Sequence, residues 1–289
     1  MKRIVVMQDI SCLGKCSLTV ILPVISAMGV ECAVLPTAVL STHTAFPSPA
    51  VVGLTDFAAQ AMNHWESIGA RFDGILTGYL ANPGQARLAE ELMDRFGGTD
   101  TKIIVDPAMG DHGKLYSGMV PEMIPAMAAL CRRADLCIPN LTEGALMAGL
   151  IPEDRADPEY CRQIAEALVS MGCKAVMLTG AEPEPGKIGY YYYDGHQAFC
   201  AGIEKQPRSC HGTGDLFAAV IAGAVMRGQT PAEGGNLAME LISASIAATP
   251  EDSRWGVHFE PFLARSPGGH LGNSDCTNLA DEQNTPNDR

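Results

Sequence analysis

Basic side chains are scarce in this sequence. Among 289 residues, 20 lysines and arginines stand against 33 aspartates and glutamates, which gives a formal net charge of −13 at pH 7. A nucleic-acid partner requires a clustered basic face, and none is visible, so we expect no nucleic-acid binding. The apolar run SLTVILPVISAMGV (17–30) is too short for a membrane span and contains a proline, so we expect no membrane insertion.

Paired cysteine motifs are also missing. The ten cysteines lie singly, mostly among apolar neighbours, and none forms a CxxC pair. Cys12 and Cys16 have no second cluster to complete a zinc site. The N-terminal segment lacks a signal-peptide pattern. We therefore expect reduced thiols and a cytoplasmic protein.

The remaining composition, 47% hydrophobic and 18% charged, is sufficient for a large core. Short β-branched runs alternate with helical patterns, which predicts an α/β fold with a mostly parallel central sheet and helices on both faces. We expect one domain over residues 1–264. The segment 265–289 is polar and rich in Gly, Asn and Asp, so we expect a disordered tail there. Buried strands are predicted at 3–7, 30–36, 73–79, 102–107, 134–140 and 174–180, and helices at 17–28, 54–68, 83–96, 119–132, 141–148, 158–171, 212–227 and 231–248.

The segment KIGYYYYDGHQAFCAG (187–202) interrupts this alternation. It predicts two antiparallel strands joined at Asp194-Gly195, a strong hairpin-turn signal. We expect a small β-hairpin flap. Together with the following loop to Arg208, it would close over a bound nucleotide and exclude water.

Polar residues follow most of the predicted strands. Each has a local structural explanation: Asp106 before Pro107 suits a turn, and Asn140 suits a helix cap. Ligands of parallel α/β sheets nevertheless bind beyond the carboxyl ends of the strands, where these residues would gather. The set comprises Asp9, Tyr79, Asp106, Asp111, Asn140, Glu143 and Thr179.

The stretch SCHGTGDLFAA (209–219) places two glycines and an aspartate directly before an apolar helix. Free N–H groups at a helix N-terminus bind anions, and glycines let them come close to phosphate oxygens. The alternative is a glycine-rich helix start that only turns the chain. The pattern is neither a Walker loop nor a dinucleotide fingerprint. Asp215 would repel a phosphate unless its carboxylate faces a substrate hydroxyl and accepts the proton.

Four motifs in order resemble the vitamin B6 kinases, the pyridoxal/pyridoxamine kinases of the ribokinase-like superfamily, over residues 3–260. They are LTGY (76–79), VDPAMGD (105–111), ADLCIPNLTEGALMAG (134–149) and GTGDLFAA (212–219). The resemblance implies a ribokinase-like fold and ATP-dependent phosphorylation of the 5'-hydroxymethyl group of pyridoxal, pyridoxamine or pyridoxine. It also implies Mg²⁺, a monovalent cation such as K⁺, and a homodimer.

The resemblance further implies roles for individual residues. Asp215 matches the catalytic base, and Gly212, Thr213 and Gly214 match the anion hole. The positions that match the ATP site are Asp111, Asn140, Glu143, Thr179 and His211, of which Asp111 and Glu143 organise Mg²⁺ through waters. The positions that match the substrate pocket are Asp9, His43, Thr44 and Tyr79, with His43 either a ring contact or a packed core histidine.

One departure from the pattern of the B6 kinases keeps alternatives open. Asp9 stands where B6 kinases usually have serine and is more typical of sugar and hydroxymethylpyrimidine kinases. Those pyrimidine kinases tend to have cysteine where this chain has Asp215, which favours the B6 branch; Cys210 lies five residues earlier and is a different position. The alternatives are therefore a hydroxymethylpyrimidine kinase and a non-catalytic vitamin or nucleotide sensor on the same fold.

Overall fold

The computed structural model describes residues 1–263. Its elements follow the chain in a regular alternation that agrees with the predicted one. In order they are β1 (Arg3–Leu13), α1 (Leu18–Ala27), β2 (Glu31–Thr42), β3 (Val51–Gly53), α2 (Thr55–Ser67), β4 (Gly74–Thr77), α3 (Pro83–Phe96), β5 (Lys102–Val105), β6 (Gly110–Asp111), β7 (Lys114–Leu115), α4 (Met123–Cys131), β8 (Leu136–Cys137), α5 (Leu141–Met147), α6 (Pro158–Ser170), β9 (Val176–Ala181), β10 (Lys187–Tyr193), β11 (Ala198–Glu204), α7 (Thr213–Met226), α8 (Pro231–Ala248) and α9 (Glu260–Leu263).

Nine of these strands form one sheet in the order β11-β10-β9-β8-β5-β4-β1-β2-β3. The six strands from β9 to β2 in that order are parallel to one another. The three outer strands, β3, β10 and β11, pair antiparallel with their neighbours. Strands β6 and β7 form a separate two-stranded hairpin. The predicted mostly parallel α/β sheet is confirmed.

Helices cover both faces of the sheet. The apolar side chains of α2 to α6 pack on one face, and those of α1, α7 and α8 pack on the other. Helix α7 is buried on most sides because it lies between α1 and α8. Its sequence is accordingly apolar almost throughout, apart from its first turn, which carries Asp215.

The strand order reverses at β1, which lies between β2 and β4. At such a reversal the loops that leave neighbouring strands diverge and open a crevice beyond the carboxyl ends. The chain after β4 and the end of β1 border this crevice. Tyr79 follows β4 and Asp9 lies in the second half of β1, so the topology places these two predicted site residues at the reversal point.

The tyrosine-rich segment forms the predicted hairpin, and it extends the central sheet through pairing of β10 with β9. Tyr190 is fully buried, and its hydroxyl donates to the backbone oxygen of Ala232 and contacts Asn236 Oδ1 at 3.0 Å. Arg208 ends the following loop and donates to the carbonyls of Ile246 and Thr249 at the end of α8. The hairpin is thus anchored in the sheet, and closure of this region over nucleotide stays a prediction.

Some features were not anticipated from the sequence. Strand β3 has three residues, and β6 and β7 have two each, so these strands carry too few side chains for a periodic pattern.

No helix within residues 1–263 is long and apolar enough to cross a membrane. The nine cysteines of that range are free thiols. The predicted polar tail at 265–289 lies outside the described residues.

Candidate active site

The glycine-rich loop turns sharply at Gly212 before α7 begins. Gly212 has φ 86°, in the left-handed region that favours glycine, and a Cβ there would overlap the carbonyl oxygen of Lys15. Thr213 fastens the turn by donating its hydroxyl to the carbonyl of Cys210 at 3.2 Å. Gly214 differs, because a Cβ on it would meet only open space. Glycine is required at position 212 by the backbone conformation and by the contact with Lys15. At position 214 the absence of a side chain leaves open space, in which a ligand would fit.

Asp215 lies in the first turn of α7, next to that open space. Its Oδ1 accepts a hydrogen bond from Nε2 of Gln8 at 2.8 Å. Burial raises the pKa of Asp215, while hydrogen bonds from the Ser17 backbone and the Gln8 amide lower it. These donors favour the ionised carboxylate, which is the form that can accept a proton.

Asp9 lies on β1 beside a register shift between Gln8 and Ile10. It is 4% exposed, and its Oδ1 accepts a hydrogen bond from Ser17 Oγ at 2.7 Å. Burial raises the pKa of Asp9 to about 6; the Ser17 hydroxyl opposes this rise and the charge of Asp215 adds to it. A carboxyl group with a pKa of about 6 is ionised at neutral pH, although burial disfavours the ionised form. A cationic ligand would stabilise that form.

Ser17 connects the two carboxylates. Its hydroxyl donates to Asp9, and its backbone N–H lowers the pKa of Asp215. It has φ 58°, which is an uncommon backbone conformation for a serine and indicates local strain. Strained positions persist where surrounding contacts hold them, and they cluster at functional sites. Ser17 therefore belongs to the site, although no sequence motif identified it.

A second acidic group lies across the crevice, after β5 and β8. Glu143 is 2% exposed, and its carboxylate accepts hydrogen bonds from the backbone N–H groups of Met109, Gly110 and Asn140. Burial raises the pKa of Glu143 to about 7. Burial also raises the pKa of Asp106, and the charges of Glu143 and Asp215 add to that rise.

Accumulated negative charge at this edge suits a divalent cation. Within residues 1–263, no group of three or more His, Cys, Asp or Glu side chains is arranged as a direct metal cage. Mg²⁺ needs no such cage, because it keeps several waters and binds through one or two carboxylates plus substrate phosphates. Asp106 and the half-exposed Asp111 fit that role. Glu143, with both oxygens occupied by N–H groups, fits the organising role that was predicted for it.

The remaining predicted residues fall into two places. Asn140 and Thr179 lie beside each other through a backbone bridge, and Asn140 donates to the carbonyl of Gly110. On the opposite side, the ring of His43 lies 4.9 Å from that of His211, and its Nε2 lies 3.2 Å from the carbonyl of Arg254. The two histidines thus pack together, although the resemblance assigned them to different ligands.

The substrate side also includes Thr44 and Tyr79. Thr44 is exposed directly after β2, and Tyr79 packs partly against the core. Burial raises the pKa of Tyr79, and the charge of Asp9 adds to the rise, which places these two groups at the same end of the sheet. The structure therefore gathers Asp9, Tyr79, Asp215 and the glycine loop around one crevice. Asp106 was predicted among the polar residues at this edge, without an assigned role, whereas Gln8 and Ser17 were not predicted.

A sequence model of the phosphomethylpyrimidine kinases matches residues 22–259. A pyridoxine/pyridoxal/pyridoxamine kinase of Bordetella pertussis is 29% identical over 262 residues, covering 82% of this chain and 86% of its own. A hydroxymethylpyrimidine/phosphomethylpyrimidine kinase of Streptomyces coelicolor is 25% identical, covering 73% of this chain and 77% of its own.

Solved structures agree with these sequence relatives. A Bacteroides thetaiotaomicron protein, provisionally named a phosphomethylpyrimidine kinase and crystallised with pyridoxal, is 33% identical with a TM-score of 0.86, covering 91% of this chain and 94% of its own. Pyridoxal kinase from Lactobacillus plantarum is 32% identical with a TM-score of 0.84, covering 91% and 95%. The predicted resemblance to B6 kinases with a ribokinase-like fold is confirmed.

Gly212 and Gly214 have different surroundings, so substitutions at the two positions test whether the loop binds phosphate. Gly214→Ala should leave the free energy of unfolding unchanged or raise it by up to about 1 kcal/mol, since alanine favours helix. It should weaken binding of a non-hydrolysable ATP analogue, because the new methyl group enters the open space that the γ-phosphate would occupy. Gly212→Ala should instead lower the free energy of unfolding by more than about 1 kcal/mol, since its φ is positive and the Cβ overlaps Lys15.

Urea unfolding and calorimetric titration with the ATP analogue measure the two effects separately. Gly69→Ala is a matched control, because Gly69 also has a positive φ but a Cβ there would meet nothing. It should lower the free energy of unfolding without affecting affinity for the analogue. If Gly214→Ala bound the analogue as tightly as the unmodified protein, the loop would not be the site of the γ-phosphate.

Proposed function

The chain belongs to the phosphomethylpyrimidine kinase family, and from that premise we propose that it is an ATP-dependent vitamin B6 kinase. It transfers a phosphoryl group from ATP to the 5'-hydroxymethyl group of pyridoxal, pyridoxamine or pyridoxine. The relatives that carry B6 kinase names and the neighbour crystallised with pyridoxal support this assignment. Asp215, the residue predicted as base, supports the B6 branch over the pyrimidine branch.

One observation carries the proposal: an oriented carboxylate lies beside the open space at the start of a helix. Asp215 accepts the proton of the substrate hydroxyl as the hydroxyl oxygen bonds to the γ-phosphorus. The bond from that phosphorus to the bridging oxygen breaks, and ADP leaves with the electron pair. N–H groups at the start of α7 hold the phosphoryl oxygens, where the positive end of the helix favours negative charge.

The acidic residues across the crevice serve the phosphate chain. Mg²⁺, when bound with ATP, neutralises phosphate charge, and Asp106 and Asp111 are the side chains that would hold it. Glu143 keeps the loop after β5 in place by accepting hydrogen bonds from the backbone N–H groups of Met109 and Gly110. Use of a monovalent cation and assembly as a homodimer are further expectations of the resemblance, and we retain both as part of the proposal.

A hydroxymethylpyrimidine kinase is the second candidate. The name of the matching family and the Streptomyces relative favour it, and the hydroxymethyl group to be phosphorylated is chemically the same. The two candidates differ in the ring that the crevice binds. Tyr79 provides an aromatic surface for either ring, whereas Asp9 favours a ring that carries a cation or a hydroxyl donor.

A substrate panel separates the candidates. We expect pyridoxal or pyridoxamine to be phosphorylated with a higher kcat/KM than hydroxymethylpyrimidine, as measured by ADP release at fixed Mg·ATP with each of the three B6 vitamers and the pyrimidine. A preference for hydroxymethylpyrimidine would assign the chain to the second candidate. Binding of vitamers without turnover of any substrate would make it a sensor.

Replacement of the base tests the mechanism. Asp215→Asn should lower kcat by about 10²-fold or more, because an amide cannot accept the proton, and should change vitamer affinity only several-fold. Asp157→Asn is the control, since Asp157 caps α6 away from the crevice and asparagine caps equally well. Unchanged turnover in Asp215→Asn would remove Asp215 from the mechanism.

Asp9 should set the preference among vitamers. An ionised Asp9 pairs with the cationic amine of pyridoxamine, so kcat/KM for pyridoxamine should exceed that for pyridoxine above pH 6, on the order of tenfold. The ratio should decline as the pH falls through about 6, the pKa of Asp9, because the protonated carboxyl no longer carries charge. Asp9→Ser should abolish both the preference and its pH dependence.

Ser17→Ala provides a matched variant for this measurement. It removes the hydrogen bond that stabilises ionised Asp9 but keeps the backbone N–H near Asp215. The midpoint of the preference should therefore move to a pH above 6, with the preference intact at high pH. A midpoint that stayed in place would show that Asp9 is not the titrating group.

A further inference from the structure

Gln8 is a buried glutamine next to the crevice that no motif identified. It precedes Asp9 on β1, is 1% exposed, and donates its Nε2 hydrogen to Oδ1 of Asp215, which lies 207 residues later in the chain. We propose that Gln8 is the positioning residue of Asp215. It holds one oxygen of that carboxylate so that the other faces the substrate hydroxyl. This inference rests on the proposed role of Asp215 as base.

The orientation of the amide is determined by chemistry. An ionised carboxylate only accepts hydrogen bonds, so the amide must present its NH₂ group to Asp215. The carbonyl oxygen of Gln8 is consequently left buried without a hydrogen-bond partner among the described residues. A buried polar atom without a partner is unfavourable, and methionine would fill the same volume without that cost. The donor function toward Asp215 accounts for an amide at this position.

Gly78, after β4, makes space for the amide. A Cβ on Gly78 would overlap Cδ of Gln8 and lie 2.7 Å from Nε2. The φ of Gly78 lies outside the left-handed region, so the backbone itself does not require glycine there. The absence of a side chain at 78 is explained by the volume that the Gln8 side chain occupies. Gln8 on β1 and Gly78 directly after β4 thus together determine the position of one hydrogen-bond donor.

The charges around Asp215 make this donor important. Within residues 1–263, the groups whose pKa is raised by burial and further raised by the charge of Asp215 are all acidic, and none of them offers the Asp215 carboxylate a positive charge. They are Asp9 on β1, Cys16 before α1, Asp106 after β5 and Tyr116 after β7. The Gln8 amide and the Ser17 backbone lower the pKa of Asp215 against burial. Removal of the amide should therefore raise the pKa of the base.

Gln8→Met is the direct test, in the full chain with Mg·ATP and pyridoxal. We expect kcat to fall about tenfold, which is the usual consequence of losing a hydrogen bond to a charged group. KM for pyridoxal should change less than twofold. The acidic limb of the plot of kcat/KM against pH should move to higher pH, because a base with a raised pKa is lost earlier as the pH falls.

Gly78→Ala provides independent evidence, because the added methyl group displaces the amide while Gln8 itself stays in the chain. It should move the acidic limb in the same direction as Gln8→Met. In a Gln8→Ala background, where no Cδ is present to overlap, Gly78→Ala should have little further effect on the pH profile. Additive effects of the two substitutions would contradict the positioning role.

Gln85→Met is the matched control. Gln85 is also a buried glutamine, 2% exposed, whose amide bonds the carbonyl of Thr37 and the hydroxyl of Thr55 away from Asp215. Its replacement should lower the free energy of unfolding and leave the acidic limb in place. A limb that moved equally in Gln85→Met would show that the shift reports general destabilisation, and would overturn the proposal.

The results for Asp215→Asn and Gln8→Met together distinguish failure of the positioning role of Gln8 from failure of the assignment of Asp215 as base. If Asp215→Asn retains wild-type turnover, the mechanism fails at Asp215 itself. If Asp215→Asn loses turnover while Gln8→Met keeps both the wild-type kcat and the wild-type pH profile, only the positioning role fails. If the two effects are non-additive, so that Gln8→Met adds no loss to Asp215→Asn, both stand.

Discussion

Negative charge concentrated at one edge of the sheet is the constraint on which the site depends. Asp9 and Asp215 lie on one side of the crevice and Asp106 on the other, and the charge of Asp215 raises the pKa of both other groups. Burial alone would favour their protonated forms. The protein opposes this with donors that carry no charge: an amide, a hydroxyl and backbone N–H groups. The negative charge that these donors leave uncompensated is what Mg²⁺ and a cationic vitamer would neutralise.

The loop before α1 holds the glycine-rich loop in place through contacts of Lys15. The carbonyl oxygen of Lys15 faces Gly212 and Gly256, each of which has a positive φ and no space for a side chain. The N–H of Lys15 donates to the carbonyl of Trp255 at 2.7 Å. The same C-terminal segment reaches the glycine loop where the N–H of Val257 donates to the carbonyl of His211 at 2.9 Å. Segments near both ends of the described chain therefore contact the glycine-rich loop and hold it in place before Asp215.

Most of the fold could be predicted from the sequence because its signals are local. Helix α3 was predicted at its observed bounds, since Asn82 caps it, Pro83 opens it and apolar residues repeat along it. The glycine loop and Asp215 were recognisable because their chemistry lies within four consecutive residues. Gln8 and Ser17 were missed because their roles arise from contacts with Asp215 and Asp9 that only the folded chain creates. Asn140 and Glu143 were predicted as ATP-site residues, with a helix cap as the local explanation of Asn140. The structure confirms the cap, which Asn140 forms reciprocally with Glu143.

A structure of the protein with a non-hydrolysable ATP analogue, Mg²⁺ and pyridoxal is the sharpest test of the proposed site. We expect the γ-phosphate of the analogue at the N–H groups of residues 212–214, with the 5'-hydroxymethyl oxygen within hydrogen-bond distance of Asp215. We also expect the pyridine ring between Tyr79 and Asp9, with the Gln8 amide still on the other oxygen of the Asp215 carboxylate. A hydroxymethyl group directed away from Asp215, or a γ-phosphate bound elsewhere than the start of α7, would contradict the proposed mechanism.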